Sequence, residues 1–146
     1  MKNSNNNLCP RGSVGAIVRQ DGKILMLYRK VFPLGLAAPT GHIEKDKGET
    51  PEQALRRELR EETGIEAETF RPVLQKTYSN PCSKGFTHHE WAVYEVDSWS
   101  GTPTLMEKEK HEFLKFLTPS QIKEFCDRGD ADPAWSDFIL PDLGII

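Results

Sequence analysis

Cysteine is scarce in this chain of 146 residues, and the three present, Cys9, Cys82 and Cys126, are odd in number and widely spaced. No Cys-x-x-Cys pair marks a zinc site, so reduced thiols are the expectation. Positive charge is not in excess either. With 19 Lys and Arg against 22 Asp and Glu, the formal charge is −3, which gives no broad basic field and argues against a nucleic-acid polymer as partner. The opening MKNSNNNLCP lacks the apolar run of a signal peptide, and no later stretch approaches the length of a membrane span. A soluble cytoplasmic protein with no membrane partner is expected, and no internal repeat is visible.

What is present suits one ordinary globular domain, since 37% of the residues are hydrophobic and the length supports a sizeable core. Met1 to Asn7 is polar and Asn-rich, and residues 1–12 are expected to form a flexible tail ahead of a single domain over 13–146. Val14–Arg19 and Lys23–Arg29 read as strands joined by Asp21-Gly22, a tight hairpin signal. Val31 to Thr40, with Pro33, Gly35 and Pro39, reads as irregular chain. Phe70–Tyr78 and Thr87–Val96 read as strands separated by a long loop, Ser79 to Gly85, and Phe113–Leu117 as a last strand. Thr118 opens a helix over Pro119–Cys126, and Asp132 caps a short one over Pro133–Ile139. The latter, with Trp135 and Phe138, reads as a packing helix, a dimer contact being the alternative.

The chemistry is concentrated between Gly41 and Ile65, GHIEKDKGETPEQALRRELREETGI. Thr50, Pro51 and Gln53 form a capping-box helix start, and Gly64 is placed as a left-handed C-cap. Ala54, Leu55 and Leu59 make the apolar stripe, with Glu58 and Glu62 beside it at the edge of the buried face. Glu58, Glu61 and Glu62 are neighbours at helical spacing, and like charges so placed repel. A hard divalent cation such as Mg²⁺ takes oxygen ligands of this kind. Arg57, one turn before Glu61, can pair with it or position a neighbouring carboxylate. A salt-bridged surface helix neutralised by Arg56, Arg57 and Arg60 is the competing reading.

The whole segment resembles the signature of the Nudix hydrolases: Gly, five residues, Glu, seven residues, then Arg-Glu-apolar-x-Glu-Glu-x-Gly-apolar. Glu49, Thr50 to Arg56, and Arg57 to Ile65 fit it throughout. Two departures stand out. Seven residues, His42 to Gly48, separate Gly41 from Glu49, so Lys45-Asp46-Lys47 forms an enlarged turn, and Thr40 stands where the family has glycine. The resemblance implies an α/β/α sandwich with a mixed central sheet, and metal-dependent hydrolysis of a nucleoside diphosphate linked to another group. Under it Glu58, Glu62 and Glu61 hold Mg²⁺ or Mn²⁺ with the Gly41 carbonyl, and Arg57 orients the glutamates.

Met106 to Glu112 resembles a Glu-Pro-Glu-Lys stretch of nucleotide-hydrolysing members, in which an acid can join the metal site or activate water, so Glu107 and Glu109 are candidates here; Glu61, Glu49, Glu107 and Glu109 are all possible bases. Among substrate contacts, Arg29 can bind phosphate bidentately. His42 lies in the signature loop. His88 and His89, adjacent in a strand, point to opposite faces, so one at most lines a pocket, and His88 is the candidate. The Pro81 position, sixteen residues after Ile65, resembles ADP-ribose pyrophosphatases, whereas Glu107 to Lys110 and the compact length resemble enzymes of nucleoside triphosphates. A small nucleotide is the expected partner, for a monomer or homodimer. A Nudix-fold sensor that binds a nucleotide without cleaving it is the alternative.

Overall fold

The computed structural model describes residues 8–80 and 85–146. Pro81 and Cys82, with the middle of the expected loop, and Met1 to Asn7 lie outside these residues.

Strand β1 (Ser13–Gln20) organises a mixed sheet of seven strands. Along one edge it runs parallel to β6 (His89–Ser100), pairing Ser13 with Trp91 through Val18 with Val96. Its other edge is divided. The end at Arg19 and Gln20 turns through Asp21-Gly22 into antiparallel β2 (Lys23–Arg29), while Ser13 to Gly15 pair with β4 (Thr40–His42). Asp21 and Gly22 both have positive φ, 54° and 75°, as the hairpin signal requires. Strand β2 also pairs with β3 (Gly35–Ala37) and β7 (His111–Leu117), and β5 (Glu66–Tyr78) closes the far edge beyond β6.

Helix α1 (Pro51–Thr63) covers one face. The Thr50–Gln53 capping box is complete, Gly64 ends the helix at φ 75°, and Ala54, Leu55 and Leu59 are buried against Val14, Ala16, Val18 and Leu25. On the other face lie α2 (Pro119–Asp127), itself started by a Thr118–Gln121 box, and a π-helical turn, Ala134–Ile139, continued by Leu140–Asp142. Ile122, Trp135, Ile139 and Leu140 pack there on Ile17, Ile24, Met26 and Val93. The period-2 alternation along β1 thus feeds two cores, which is the expected α/β/α sandwich. A Cβ at Gly15 would lie 2.7 Å from the Trp135 ring, so the indole lies directly on the β1 backbone.

The structure departs from the sequence expectation in several places. Residues 31–40 hold two short strands, β3 and the start of β4, because pairing with β2 and β1 orders chain that Pro33 and Pro39 only punctuate. Strand β5 begins at Glu66 rather than Phe70, and tolerates Pro72 because β6 is its one partner among the described residues, with the register shifting beside it. Within the described part of the segment expected as tail, Leu8 bridges His88, Cys9 is buried and donates its N–H to the His88 carbonyl, and the Gly12 carbonyl accepts from Ile43 N–H. The expected C-terminal helix is π-helical and begins where Asp132 Oδ1 accepts from Ala134 N–H at 3.0 Å.

Candidate active site

Antiparallel pairing with β1 carries Thr40, Gly41 and His42 alongside α1, and the fit is close. A Cβ at position 41 would overlap the Glu58 carboxyl group, so glycine there makes room for the acid. Thr40 N–H donates to Glu62 Oε1 at 2.9 Å. The Thr40 hydroxyl donates to the Ala38 carbonyl and accepts from Trp135 Nε1 at 3.0 Å, which gives the threonine a positioning use that glycine would lack.

Arg57 ties the acids together. Its Nε and Nη2 grip both oxygens of Glu49 at 2.7 and 3.0 Å, Nη1 donates to Glu58 at 2.8 Å and to Glu61 at 3.0 Å, and Nη2 also reaches the His42 carbonyl at 2.9 Å. Glu49 accepts from Glu44 N–H as well, and its bond to Arg57 holds its carboxyl below the usual range. It is a strut with both oxygens committed. The enlarged turn explains itself here. Lys45–Lys47 forms one 3₁₀ turn closed by Gly48 N–H on the Lys45 carbonyl, and Glu49 N–H returns to the Glu44 carbonyl at 3.2 Å. The added residues therefore project outward, and Glu49 regains its place.

Burial sets the electrostatics. It pushes the Glu58 carboxyl up to about 7 against the opposing pull of Arg57, with Glu61 and Glu107 adding repulsion. Glu62 is raised well above its ordinary value, first by burial and then by Glu58. His111 Nε2 lies 3.9 Å from Glu62 Oε2, but burial, aided by Arg29, lowers the imidazole to about 4, so no ordinary ion pair forms at neutral pH. One buried and one half-buried acid without enough compensating charge leave a deficit that a divalent cation with oxygen ligands would fill. The donor set fits such an ion, although the three helix carboxylates do not converge on a point. Glu58 and Glu61 lean on Arg57, and Glu62 leans on Thr40.

A cleft of about 250 Å³ joins these parts. Gly41, His42, Arg57, Glu58, Glu61, Glu62 and Glu107 line it, together with the cations Arg11, Arg29 and Lys110. The Arg29 guanidinium is steadied by the Pro33 and Phe32 carbonyls at 2.8 and 3.3 Å. Glu109 is exposed and is not part of this lining, whereas Glu107, two residues earlier, is. A second cavity of about 110 Å³ shares Arg29, Thr40, Gly41 and His42 and adds Asn80, His89, Trp91 and Asp132. His89 faces it, and His88, half-buried beside Thr87, lines neither cavity. Arg11 has no sequence signal of its own; Lys110 and His111 lie within the Met106–Glu112 stretch but the sequence does not single them out, and His89 is the histidine of the adjacent pair that is not the sequence candidate.

The NUDIX domain family model matches residues 10–138. The chain is 31% identical over 105 residues to an 8-oxo-dGTP diphosphatase of Escherichia coli, covering 69% of this chain and 77% of that one. It is 34% identical over 116 residues to a CTP pyrophosphohydrolase of the same organism, covering 77% and 78%. A crystal structure of a MutT NUDIX hydrolase from Burkholderia pseudomallei superposes with a TM-score of 0.68 at 30% identity, over 77% of this chain and 85% of that one. With the Arg57-centred carboxylate network standing where the signature places it, the chain belongs to the Nudix family and is a hydrolase of phosphoanhydride bonds.

Proposed function

We propose that this protein is a Mg²⁺- or Mn²⁺-dependent pyrophosphohydrolase that cleaves a nucleoside diphosphate linked to another group, with nucleoside triphosphates as the first substrates to test. The observation that carries this reading is the pair Glu58 and Glu62, both raised by burial, at the wall of a cleft that also holds Arg11, Arg29 and Lys110. Glu58 and Glu62, with Glu61 and the Gly41 carbonyl, are the proposed ligands, and Glu107 is a further one. A bound divalent cation would neutralise phosphate oxygens and acidify a water for in-line attack on phosphorus. Arg57 keeps Glu58 and Glu61 in register, Thr40 N–H aims Glu62, and Arg29 and Lys110 draw the phosphate chain into the cleft. The water's proton passes to Glu61 or Glu107, because Glu49 has both oxygens engaged and Glu109 stands outside the cleft.

The choice of triphosphates rests on two relatives matched over more than three quarters of their length, an 8-oxo-dGTP diphosphatase and a CTP pyrophosphohydrolase. An ADP-ribose pyrophosphatase of Methanocaldococcus jannaschii is 43% identical, but over 60 residues, which is 40% of this chain and 34% of that one. The test is a hydrolysis screen over nucleoside triphosphates, nucleotide sugars, ADP-ribose and dinucleoside polyphosphates in ¹⁸O water. Label on a phosphate product, loss of turnover in EDTA and loss in Glu62→Gln are expected. No cleavage of any diphosphate compound by metal-loaded protein would replace this reading with the nucleotide sensor.

A further inference from the structure

Beyond the carboxylate cleft, the chain brings a second set of donor atoms together, and these are soft rather than hard. Cys9 from the N-terminal segment, His42 from β4 and His89 from β6 each offer one ligand atom, and the three atoms all lie within 4.8 Å of one another. Among the described residues this is the one group of three Cys, His, Asp or Glu donors gathered so closely. We infer that Cys9, His42 and His89 form a binding site for a thiolate- and imidazole-preferring divalent cation, of which Zn²⁺ is the type, separate from the carboxylate site.

The strongest argument is His89. The residue is 2% exposed, its Nδ1 lies 2.6 Å from the Asn80 carbonyl, and its Nε2 is buried with no hydrogen-bond partner. A carbonyl can only accept, so Nδ1 carries the proton and Nε2 presents its lone pair. A buried lone pair without a donor is unfavourable, and ligation to a cation would satisfy it. An imidazole whose far nitrogen donates to a backbone carbonyl is also how metal-ligating histidines are oriented. Asn80 is itself fixed, because its side-chain oxygen accepts from Trp91 Nε1 at 3.2 Å.

Cys9 is 1% exposed and is not in a disulfide. It is positioned by its own N–H on the His88 carbonyl at 2.8 Å, the residue before His89. His42 closes the set. Arg11 Nη2 lies 3.4 Å from its Nδ1, and its ring centroid is 6.2 Å from that of His89. In a tetrahedral zinc site, bond lengths of about 2.0–2.3 Å put donor atoms roughly 3.3–3.6 Å apart, so small side-chain movements close the present spacing. Three protein ligands leave a fourth position, and the cavity of about 110 Å³ that His42 and His89 line supplies room for it. Soft ligands sort this site from its neighbour: thiolate and imidazole favour zinc-like ions, and carboxylates favour magnesium. The two sites meet in His42, whose backbone carbonyl Arg57 holds and whose side chain would hold the second cation.

The test uses the full chain with Mg²⁺ in excess and Co²⁺ as the spectroscopic stand-in for Zn²⁺. One equivalent of Co²⁺ should give a thiolate-to-cobalt charge-transfer band together with intense ligand-field bands of a four-coordinate ion, and Zn²⁺ should bleach them. Cys9→Ser should abolish the charge-transfer band and weaken Zn²⁺ binding at least tenfold by calorimetry. His89→Gln should weaken binding similarly while leaving the thiol, which guards against a folding defect in the first variant. Cys82→Ser, Cys126→Ser and Glu62→Gln should keep the band. Its absence in the unaltered protein, its survival in Cys9→Ser, or its loss in Cys82→Ser alone would overturn the assignment.

Discussion

Changing Glu58 to glutamine removes the charge at the wall of the cleft while keeping the shape, and its effect on the metal-free protein can be worked through. The ordinary carboxyl value is 4.5, and burial raises Glu58 to about 7 in the folded chain. Between those values the folded protein binds more protons than the unfolded chain, so this group's contribution is most favourable at low pH and is lost as pH rises through that window. At pH 8 ionisation of Glu58 then costs the fold at most roughly 3 kcal/mol. Its side chain is 17% exposed, and a glutamine oxygen can still accept from Arg57 Nη1, so we take about half to all of that figure as recoverable. For a domain near this size that is roughly 5–10 °C in Tm. Calorimetry in EDTA should therefore show Glu58→Gln melting above the unaltered protein at pH 8, the gap narrowing to within a few degrees at pH 5. Added Mg²⁺ should stabilise the unaltered protein and do much less for the variant. Equal or lower melting of Glu58→Gln in EDTA at pH 8 would refute the claim that Glu58 is held against its own charge.

Arg57→Lys should cut kcat by about 10²-fold or more, because a lysine cannot grip Glu49 with two parallel bonds while reaching Glu58 and Glu61; steady-state kinetics at saturating Mg²⁺ decide it. Glu107→Gln should lower activity at least tenfold, whereas Glu109→Gln stays within about twofold, and equal effects would contradict the lining of the cleft. Deleting two residues from Lys45-Asp46-Lys47 should leave the fold intact and activity within about tenfold, since the turn closes on itself between Glu44 and Glu49; circular dichroism and turnover check this together. Trp135→Phe should cost about 1 kcal/mol in urea unfolding for the lost bond to Thr40, and should raise the Mg²⁺ requirement by loosening Glu62.

Helix α1 was legible to the residue because its start and stop are local chemistry: Thr50, Pro51, Gln53 and Gly64 act within one turn of themselves. The Asp21-Gly22 hairpin was legible for the same reason. Strands β3 and β4 were hidden, since three residues carry no period and their order comes from partners far along the chain. The carboxylates of α1 could be named from spacing, but their grip by Arg57 and Thr40, and the paired hydrogen bonds that engage Glu49, could not. Alternation said that one of His88 and His89 faces a pocket; which one depends on the Asn80 carbonyl and the packing of Leu8 and Cys9, and neither is written in the strand itself. Cys9 read as an isolated thiol because its neighbours arrive from β4 and β6.

The contact between Trp135 and Thr40 has a practical side. Ninety-five positions separate the two residues, yet the indole rests on the bare backbone of Gly15 and bonds the hydroxyl of the residue whose N–H aims Glu62. A shortened version of the protein ending near residue 130 would keep the whole signature from Gly41 to Ile65 and lose the wedge that steadies its first acid-binding amide. Such a truncation would pass any motif search and still give a poor enzyme. A minimal working version is therefore expected to need chain past Trp135.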